Sequence, residues 1–173
     1  RWTKETGTGI FAYDLSEAEG LDDLHDPRGV IREAQELAAE AFGSERAYFL
    51  VNGTTCGNEA MVLASAWEGE KILVPRNAHK SILMGMIMSG AVPVWMEPEL
   101  LENGLVGGIS PETVERELAA CPEAKAVFVV SPTYYGLCSD LRAIGEICHR
   151  KGVMLLVDEA HGAHLSFSPR LPE

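Results

Sequence analysis

The sequence is poor in basic residues and has no long apolar run. Its 173 residues carry 14 Lys and Arg against 26 Asp and Glu, a net charge of −12. Nucleic-acid-binding proteins usually present a basic face to phosphates, so this balance argues against a nucleic-acid partner. It favours a cationic substrate only weakly. Since no apolar stretch approaches the roughly 20 residues that span a bilayer, we predict a soluble protein without a membrane segment.

The sequence also lacks the paired spacing of metal-binding or disulfide-bonded cysteines. Its cysteines are Cys56, Cys121, Cys138 and Cys148, and none forms a Cys-x-x-Cys pair. Their apolar or helical surroundings favour reduced thiols in a cytoplasmic protein over a disulfide framework or a zinc site. The length suits one domain or a large piece of one, and we expect a stretch of a longer polypeptide.

Helical and strand patterns alternate along the chain. The predicted helices are 29–42, 55–67, 80–89, 111–120 and 140–151, and the predicted strands are 46–51, 71–75, 91–96, 126–130 and 153–158. The strand sequences AVFVV and VMLLV are continuous apolar runs, which is typical of strands buried on both faces. We therefore predict an α/β fold, with three α/β/α layers around a mostly parallel sheet.

Polar sequence follows four of the predicted strands, over 52–58, 76–80, 131–136 and 158–164. Ligands of parallel sheets lie beyond the carboxyl ends of the strands, where these segments would meet. Loops are polar in most proteins, which is the alternative explanation. The convergence of Thr, His and Asp side chains favours a ligand site.

The segment Gly53–Gly57 joins a predicted strand to a predicted helix and contains Thr54, Thr55 and Cys56. Free backbone N–H groups and the helix dipole favour a phosphate group there, although the alternative is that one threonine is only an N-cap. The P-loop sequence G-x-x-x-x-G-K-[ST] is missing. The Asp-Glu-Ala-His sequence at 158–161 therefore does not indicate a helicase.

Asp158 ends an apolar strand, so its carboxylate needs a partner. A protonated ring nitrogen would provide an ion pair, and the alternative is a cap on the following turn. His79 precedes a helix and either stacks on a planar ligand, moves a proton or caps that helix. A metal site could use the side chains of Asp158, His161 and His164, but Gly162 makes it doubtful that the two histidines lie on one helix. We expect no metal.

Five segments are specific in their order and spacing: 20–35 (GLDDLHDPRGVIREAQ), 49–55, 76–81, 132–136 and 157–161. Together they resemble the Orn/Lys/Arg decarboxylases, pyridoxal-phosphate enzymes of the aspartate aminotransferase fold (fold type I). The resemblance covers nearly the whole chain. It implies an N-terminal lead-in over 1–28 and part of the cofactor-binding large domain over 29–173, ending before the cofactor lysine.

The resemblance implies how the cofactor is held. Thr54 and Thr55 would bind its phosphate, and the adjacent Cys56 would be a further cofactor-binding residue. His79 would stack on the pyridine ring, and Asp158 would pair with the ring nitrogen.

It further implies that Ala160 packs under the other face of the ring and that His161 lies near cofactor and substrate. Thr133 and Tyr134 would lie near the pocket wall. The implied reaction is loss of the α-carboxylate of lysine, ornithine or arginine as CO₂, giving a diamine or agmatine for polyamine metabolism. The catalytic residues would be His79, Asp158 and His161.

This sequence departs from the family pattern at the lysine that attaches the cofactor. The family carries it in a downstream Ser-x-His-Lys motif, and none of the five lysines here stands in such a motif. We therefore expect this lysine outside the stretch, which alone would not be a competent enzyme. The family also implies a homodimer with sites at the interface. The alternatives are an α-oxoamine synthase, against which the GLDDLHDPRG segment argues, and a cofactor-free homologue with an assembly or regulatory role.

Overall fold

The computed structural model describes residues 2–13, 15 and 20–172. They form two compact units, 1–49 and 50–173. The first unit contains α1 (Trp2–Thr6), a 3₁₀ turn (Gly9–Tyr13) and α2 (Val30–Phe42). The second contains α3 (Gly53–Ser65), β1 (Lys71–Pro75), α4 (Lys80–Ser89), β2 (Val92–Met96), α5 (Pro111–Ala120), β3 (Ala126–Val130), α6 (Leu141–Lys151), β4 (Met154–Asp158) and a 3₁₀ turn (Leu165–Phe167).

The four strands of the second unit form one sheet in the order β2-β1-β3-β4, and every pairing is parallel. In β3 and β4 the register runs from Ala126 opposite Met154 to Val130 opposite Asp158. The ends of these two strands are thus level, and Asp158 lies at the carboxyl edge of the sheet.

Apolar side chains fill both faces of this sheet. On one face Leu73, Val127 and Val129 belong to a buried cluster with residues of α5 and α6. On the other, Ile72 and Phe128 belong to a cluster with residues of α3 and α4. Alternate residues of a strand point to opposite faces, so continuous apolar strands supply both clusters. The predicted three-layer α/β/α arrangement is confirmed.

The helix ends follow recognisable capping signals. Ser110 accepts a hydrogen bond from the backbone N–H of Thr113 ahead of α5, and Asp140 accepts one from Ala143 ahead of α6. Gly152 ends α6 with φ of 67°, a left-handed conformation that favours glycine. The structure has the predicted bounds for two helices and two strands, namely α4, α5, β1 and β3.

The predicted strand over 46–51 is wrong. These residues form no strand, and the large apolar side chains of Tyr48, Phe49, Leu50 and Val51 are exposed. A strand needs a hydrogen-bonded neighbour, and none of the strands in the described ranges pairs with this segment. Residues 46–50 are irregular and Val51 begins a turn, so the apolar pattern does not correspond to a strand here. The helix that follows begins at Gly53, two residues earlier than predicted.

The segment that leads into α2 is organised around one carboxylate. Asp22 accepts backbone N–H hydrogen bonds from Arg28 at 2.9 Å, Gly29 at 3.0 Å and Ile31 at 2.8 Å. It also accepts one from Asp23 at 3.1 Å. These donors, the Arg28 N–H first, lower the pKa of Asp22 from 3.8 to about 2. Asp22 thus satisfies N–H groups at the beginning of α2 that lack a helical partner.

All four cysteines are free thiols. Burial raises the pKa of Cys148 and, as the largest cause, that of Cys121, as expected for thiols in apolar surroundings. Within the described ranges, none of the helices combines the length and apolar character that crossing a membrane requires.

Candidate active site

A cavity of about 430 Å³ lies where the loops after β1, β3 and β4 meet. Its lining comprises Asn77, Ala78, His79, Lys80, Val130, Tyr134, Asp158, Ala160 and His161. The cavity therefore lies at the carboxyl edge of the parallel sheet, where a ligand site is expected for this type of fold. Six of the nine lining residues carry polar or charged side chains, so the cavity suits a polar ligand.

Asp158 is the buried carboxylate of this cavity, with 4% of its surface exposed. Its Oδ1 accepts the backbone N–H of Ala160 at 3.0 Å, and its Oδ2 accepts the side-chain N–H of Asn58 at 2.8 Å. The turn cap is therefore present, but it occupies only one oxygen. In the described part of the chain no cation pairs with this carboxylate, so its negative charge has neutral hydrogen-bond donors only.

His79 is the N-cap of α4 and also lines the cavity. Its Nδ1 lies 2.9 Å from Ser81 Oγ and accepts the backbone N–H of Ser81 at 3.3 Å. The cap predicted as one alternative for this histidine is present, and its contact with a ligand stays a prediction. Capping fixes one edge of the imidazole, and the exposed ring remains available to a ligand.

Asn58 and Ser81 join these two residues, although neither is among the site residues predicted from the sequence. Asn58 is 1% exposed, and its Nδ2 lies 3.0 Å from Ser81 Oγ as well as 2.8 Å from Asp158 Oδ2. Asn58 belongs to the polar segment after the predicted strand 46–51. Its position in that polar segment is the sequence signal that could have identified it.

Thr54, Thr55 and Cys56 form the first turn of α3, one turn before Asn58. Both threonines are exposed and Cys56 is half-buried. The N-cap is Asn52, whose side chain makes no capping hydrogen bond, so neither threonine is the N-cap. None of the three lines the cavity described above. Residues three or four apart share a helix face, which places both threonines on the Asn58 side of α3.

The loop after β3 supplies Thr133 and Tyr134. Thr133 is buried, and its hydroxyl accepts the backbone N–H of Leu137 at 3.3 Å, so it shapes the turn and is not in the cavity lining. Tyr134 is 83% exposed and lines the cavity, with its ring 6.4 Å from that of His161 in an edge-on arrangement. Tyr134 and His161 therefore form one side of the cavity mouth.

His161 and His164 lie in an irregular turn after β4. Among the described residues, no group of three or more His, Cys, Asp or Glu side chains is arranged to hold a metal ion.

Comparison with known proteins identifies the family. A family model described as Orn/Lys/Arg decarboxylase, major domain, matches residues 2–173. The chain is 47% identical over 167 residues to the arginine decarboxylase of Halalkalibacterium halodurans, covering 96% of this chain and 34% of that protein. It is 34% identical over 174 residues to a lysine decarboxylase of Pseudomonas aeruginosa, covering 93% of this chain and 23% of that protein.

A solved structure agrees with these matches. The lysine decarboxylase of Francisella novicida superposes with a TM-score of 0.82 and 28% identity, over 97% of this chain and 24% of that one. The chain thus spans about a third or less of the length of the curated relatives it matches. The resemblance stated from the sequence is confirmed: the chain belongs to the Orn/Lys/Arg decarboxylase family.

Proposed function

We propose that the whole protein decarboxylates a basic amino acid with pyridoxal phosphate as cofactor. The observation that carries this proposal is the Asp158 carboxylate, which lines the cavity and is 4% exposed, and which among the described residues receives hydrogen bonds from neutral donors only. A buried carboxylate without a cationic partner is costly. A protonated pyridine nitrogen in the cavity would supply the missing positive charge.

The residues present fit this cofactor. Asp158 would hold the proton on the ring nitrogen, His79 would stack on the ring, and Ala160, with its small side chain, would pack against it. The phosphate would bind at the beginning of α3, because the Asn52 side chain leaves first-turn N–H groups uncapped there. The hydroxyls of Thr54 and Thr55 would add donors to that phosphate site.

When bound, the cofactor supplies an electron-accepting ring for the pair released as CO₂ leaves. Asp158 supports this step by keeping a proton on the ring nitrogen, since a neutral ring accepts electrons less well. His79 orients the ring by packing on it. His161, exposed at the cavity mouth beside Tyr134, is the residue that would contact the substrate and move a proton.

Arginine is the first substrate to test, with agmatine as product. Two relatives, at 47% and 46% identity, are named arginine decarboxylase, whereas the lysine decarboxylase of Pseudomonas aeruginosa is at 34%. The groups that bind the distal cation of the substrate would lie in the rest of the protein or on a second subunit. We propose a cytoplasmic homodimer with sites at the interface, and the lysine that attaches the cofactor outside residues 1–173.

The test is a visible absorption spectrum of the full-length protein, titrated separately with arginine, lysine and ornithine, with released CO₂ and amine measured in parallel. We expect a cofactor band that changes with one of the three, together with matching CO₂ and amine. If pyridoxal phosphate produces no band, a cofactor-free homologue replaces this proposal. A new carbon–carbon bond formed from an acyl-CoA and a small amino acid would instead identify an α-oxoamine synthase.

A further inference from the structure

A buried amide connects the two residues proposed to contact the cofactor ring. Asn58 lies in the second turn of α3, Ser81 in the first turn of α4 and Asp158 at the end of β4. The Asn58 Nδ2 is 2.8 Å from Asp158 Oδ2 and 3.0 Å from Ser81 Oγ, and all three residues are at least 96% buried. Three separate elements therefore meet at one amide nitrogen.

The direction of each hydrogen bond at Asn58 follows from chemistry. A carboxylate without a proton only accepts, so the amide atom facing Asp158 must be the NH₂ group. Its two hydrogens then serve Asp158 Oδ2 and Ser81 Oγ. Within the described part of the chain the buried Asn58 Oδ1 accepts no hydrogen bond. The orientation of the Asn58 amide is thus set by the two hydrogen bonds that its NH₂ group donates.

Ser81 links Asn58 to His79, because both its hydroxyl and its backbone N–H contact the His79 ring. The backbone N–H of Ser81 can only donate, and it lies 3.3 Å from His79 Nδ1, which must therefore present a lone pair. The Ser81 hydroxyl lies 2.9 Å from the same nitrogen. Because Nδ1 then carries no hydrogen, it cannot donate to Ser81 Oγ, so the hydroxyl hydrogen of Ser81 is directed to Nδ1. The remaining ring proton of His79 then lies on Nε2.

We propose that Asn58 and Ser81 are positioning residues that couple Asp158 to His79 and fix the uncharged Nε2–H tautomer of His79. This inference rests on the proposed function, because the coupling matters if both residues contact the same ring. An uncharged imidazole stacks on a protonated pyridine ring without the repulsion that two cations would have. Asp158, oriented by the same amide, would face the nitrogen of that ring.

The first test needs no cofactor. The full-length protein, freed of cofactor and labelled with ¹⁵N-histidine, is examined by NMR, with His79→Gln assigning the resonances. We expect an unprotonated Nδ1 and a protonated Nε2. In Ser81→Ala only the longer backbone N–H contact at 3.3 Å remains on Nδ1, so we expect the other tautomer to become partly populated and the two nitrogen resonances to move toward each other. A proton on Nδ1 in the wild-type protein would overturn the inference.

Ser65→Ala is the matched control. Ser65 is a buried helical serine on the same face of the sheet, and its hydroxyl donates to the carbonyl of Val62, outside this network. Its loss should leave the His79 resonances unchanged. If Ser65→Ala shifts them as much as Ser81→Ala does, the effect is general loosening and the inference fails.

The second test measures the cofactor. Asn58→Leu keeps the side-chain shape but has no donors, and we expect the dissociation constant for pyridoxal phosphate to rise about tenfold or more, with a shifted absorption band. An unchanged constant and band would refute the positioning role. If Asn58→Leu does not fold, Ser81→Ala is measured in the same way. Failure of the wild-type protein to bind pyridoxal phosphate would refute the proposed function, while the nitrogen resonances would still decide the tautomer.

Discussion

At the scale of single residues, the two oxygens of Asp158 have separate partners. One caps the turn at Ala160 and the other accepts from Asn58, so the position of the carboxylate is set by backbone and side chain together. A carboxylate held in this way would need little rearrangement to pair with the proposed cationic ring. Such preorganisation is the usual source of electrostatic stabilisation in active sites.

Asp158→Asn in the full-length protein should retain pyridoxal phosphate but lose turnover. The amide has nearly the same shape but cannot keep a proton on the ring nitrogen by charge, so we expect kcat to fall by about 100-fold or more, roughly 3 kcal/mol. Steady-state CO₂ release measures this. Asp140→Asn, which changes an exposed cap of α6, is the control and should keep kcat. Near-normal turnover of Asp158→Asn would refute the ring-nitrogen role.

At the scale of elements, α3 and α4 approach closely on one face of the sheet. A Cβ added at Gly85 of α4 would lie 3.0 Å from Val62 Cβ and 3.2 Å from Glu59 Cα, both on α3. The second contact is with backbone, which cannot rotate away. Glycine at this position therefore allows the helix contact that brings Asn58 next to Ser81.

Gly85→Ala should destabilise the protein by about 1–3 kcal/mol, because the two helices must separate. Gly145→Ala in α6 is the matched control, since its added Cβ meets only Leu155 Cδ2 at 3.8 Å. There the change should be neutral or stabilising by about 0.5–1 kcal/mol, through higher helix propensity. Urea unfolding of both full-length variants measures the difference. Equal effects in the two variants would contradict the close contact at Gly85.

Asp22→Ala should loosen the lead-in to α2. Amide hydrogen exchange at Arg28, Gly29 and Ile31 should accelerate, because each loses its acceptor. Asp23→Ala is the control, since the Asp23 side chain accepts the N–H of His25 and none of these three. Unaltered exchange at the three amides in Asp22→Ala would contradict this role.

The lowered pKa of Asp22 predicts that the stability of the lead-in to α2 depends on pH. The pKa of Asp22 is lowered from 3.8 to about 2, so its contribution to stability is fully present above pH 3.8 and is lost as the pH falls through about 2. Protection of the Gly29 and Ile31 amides from hydrogen exchange should decrease over this pH range in the wild-type protein. In Asp22→Asn it should not change over the same range.

At the scale of the whole molecule, the position of the lysine that attaches the cofactor tests whether residues 1–173 hold only part of the active site. Lys80 lines the cavity, but it is the exposed first residue of α4 and directly follows the proposed stacking histidine. After borohydride reduction of the full-length protein with pyridoxal phosphate, peptide mass spectrometry should find the cofactor on a lysine outside residues 1–173. A cofactor on Lys80 would contradict this prediction, and Lys80→Ala should still bind the cofactor.

The sequence by itself determined the layers of this protein and most of its element bounds. Continuous apolar strands such as 126–130 require burial on both faces, and local signals such as Ser110-Pro111 and Gly152 mark helix ends whatever surrounds them. The sequence also predicted a candidate site at the strand ends, and Asp158 and His79 line the cavity found there. These features depend on residues close together in the chain.

Only the tertiary structure decided which residues meet. The apolar pattern over 46–51 could not reveal that no described strand pairs with it, because a ladder needs a partner distant in sequence. Likewise Asn58 and Asp158 are 100 positions apart, and their hydrogen bond exists because α3 packs on the sheet beside β4. Buried polar networks depend on such packing, so sequence periodicity identifies the layers but not the amide that links them.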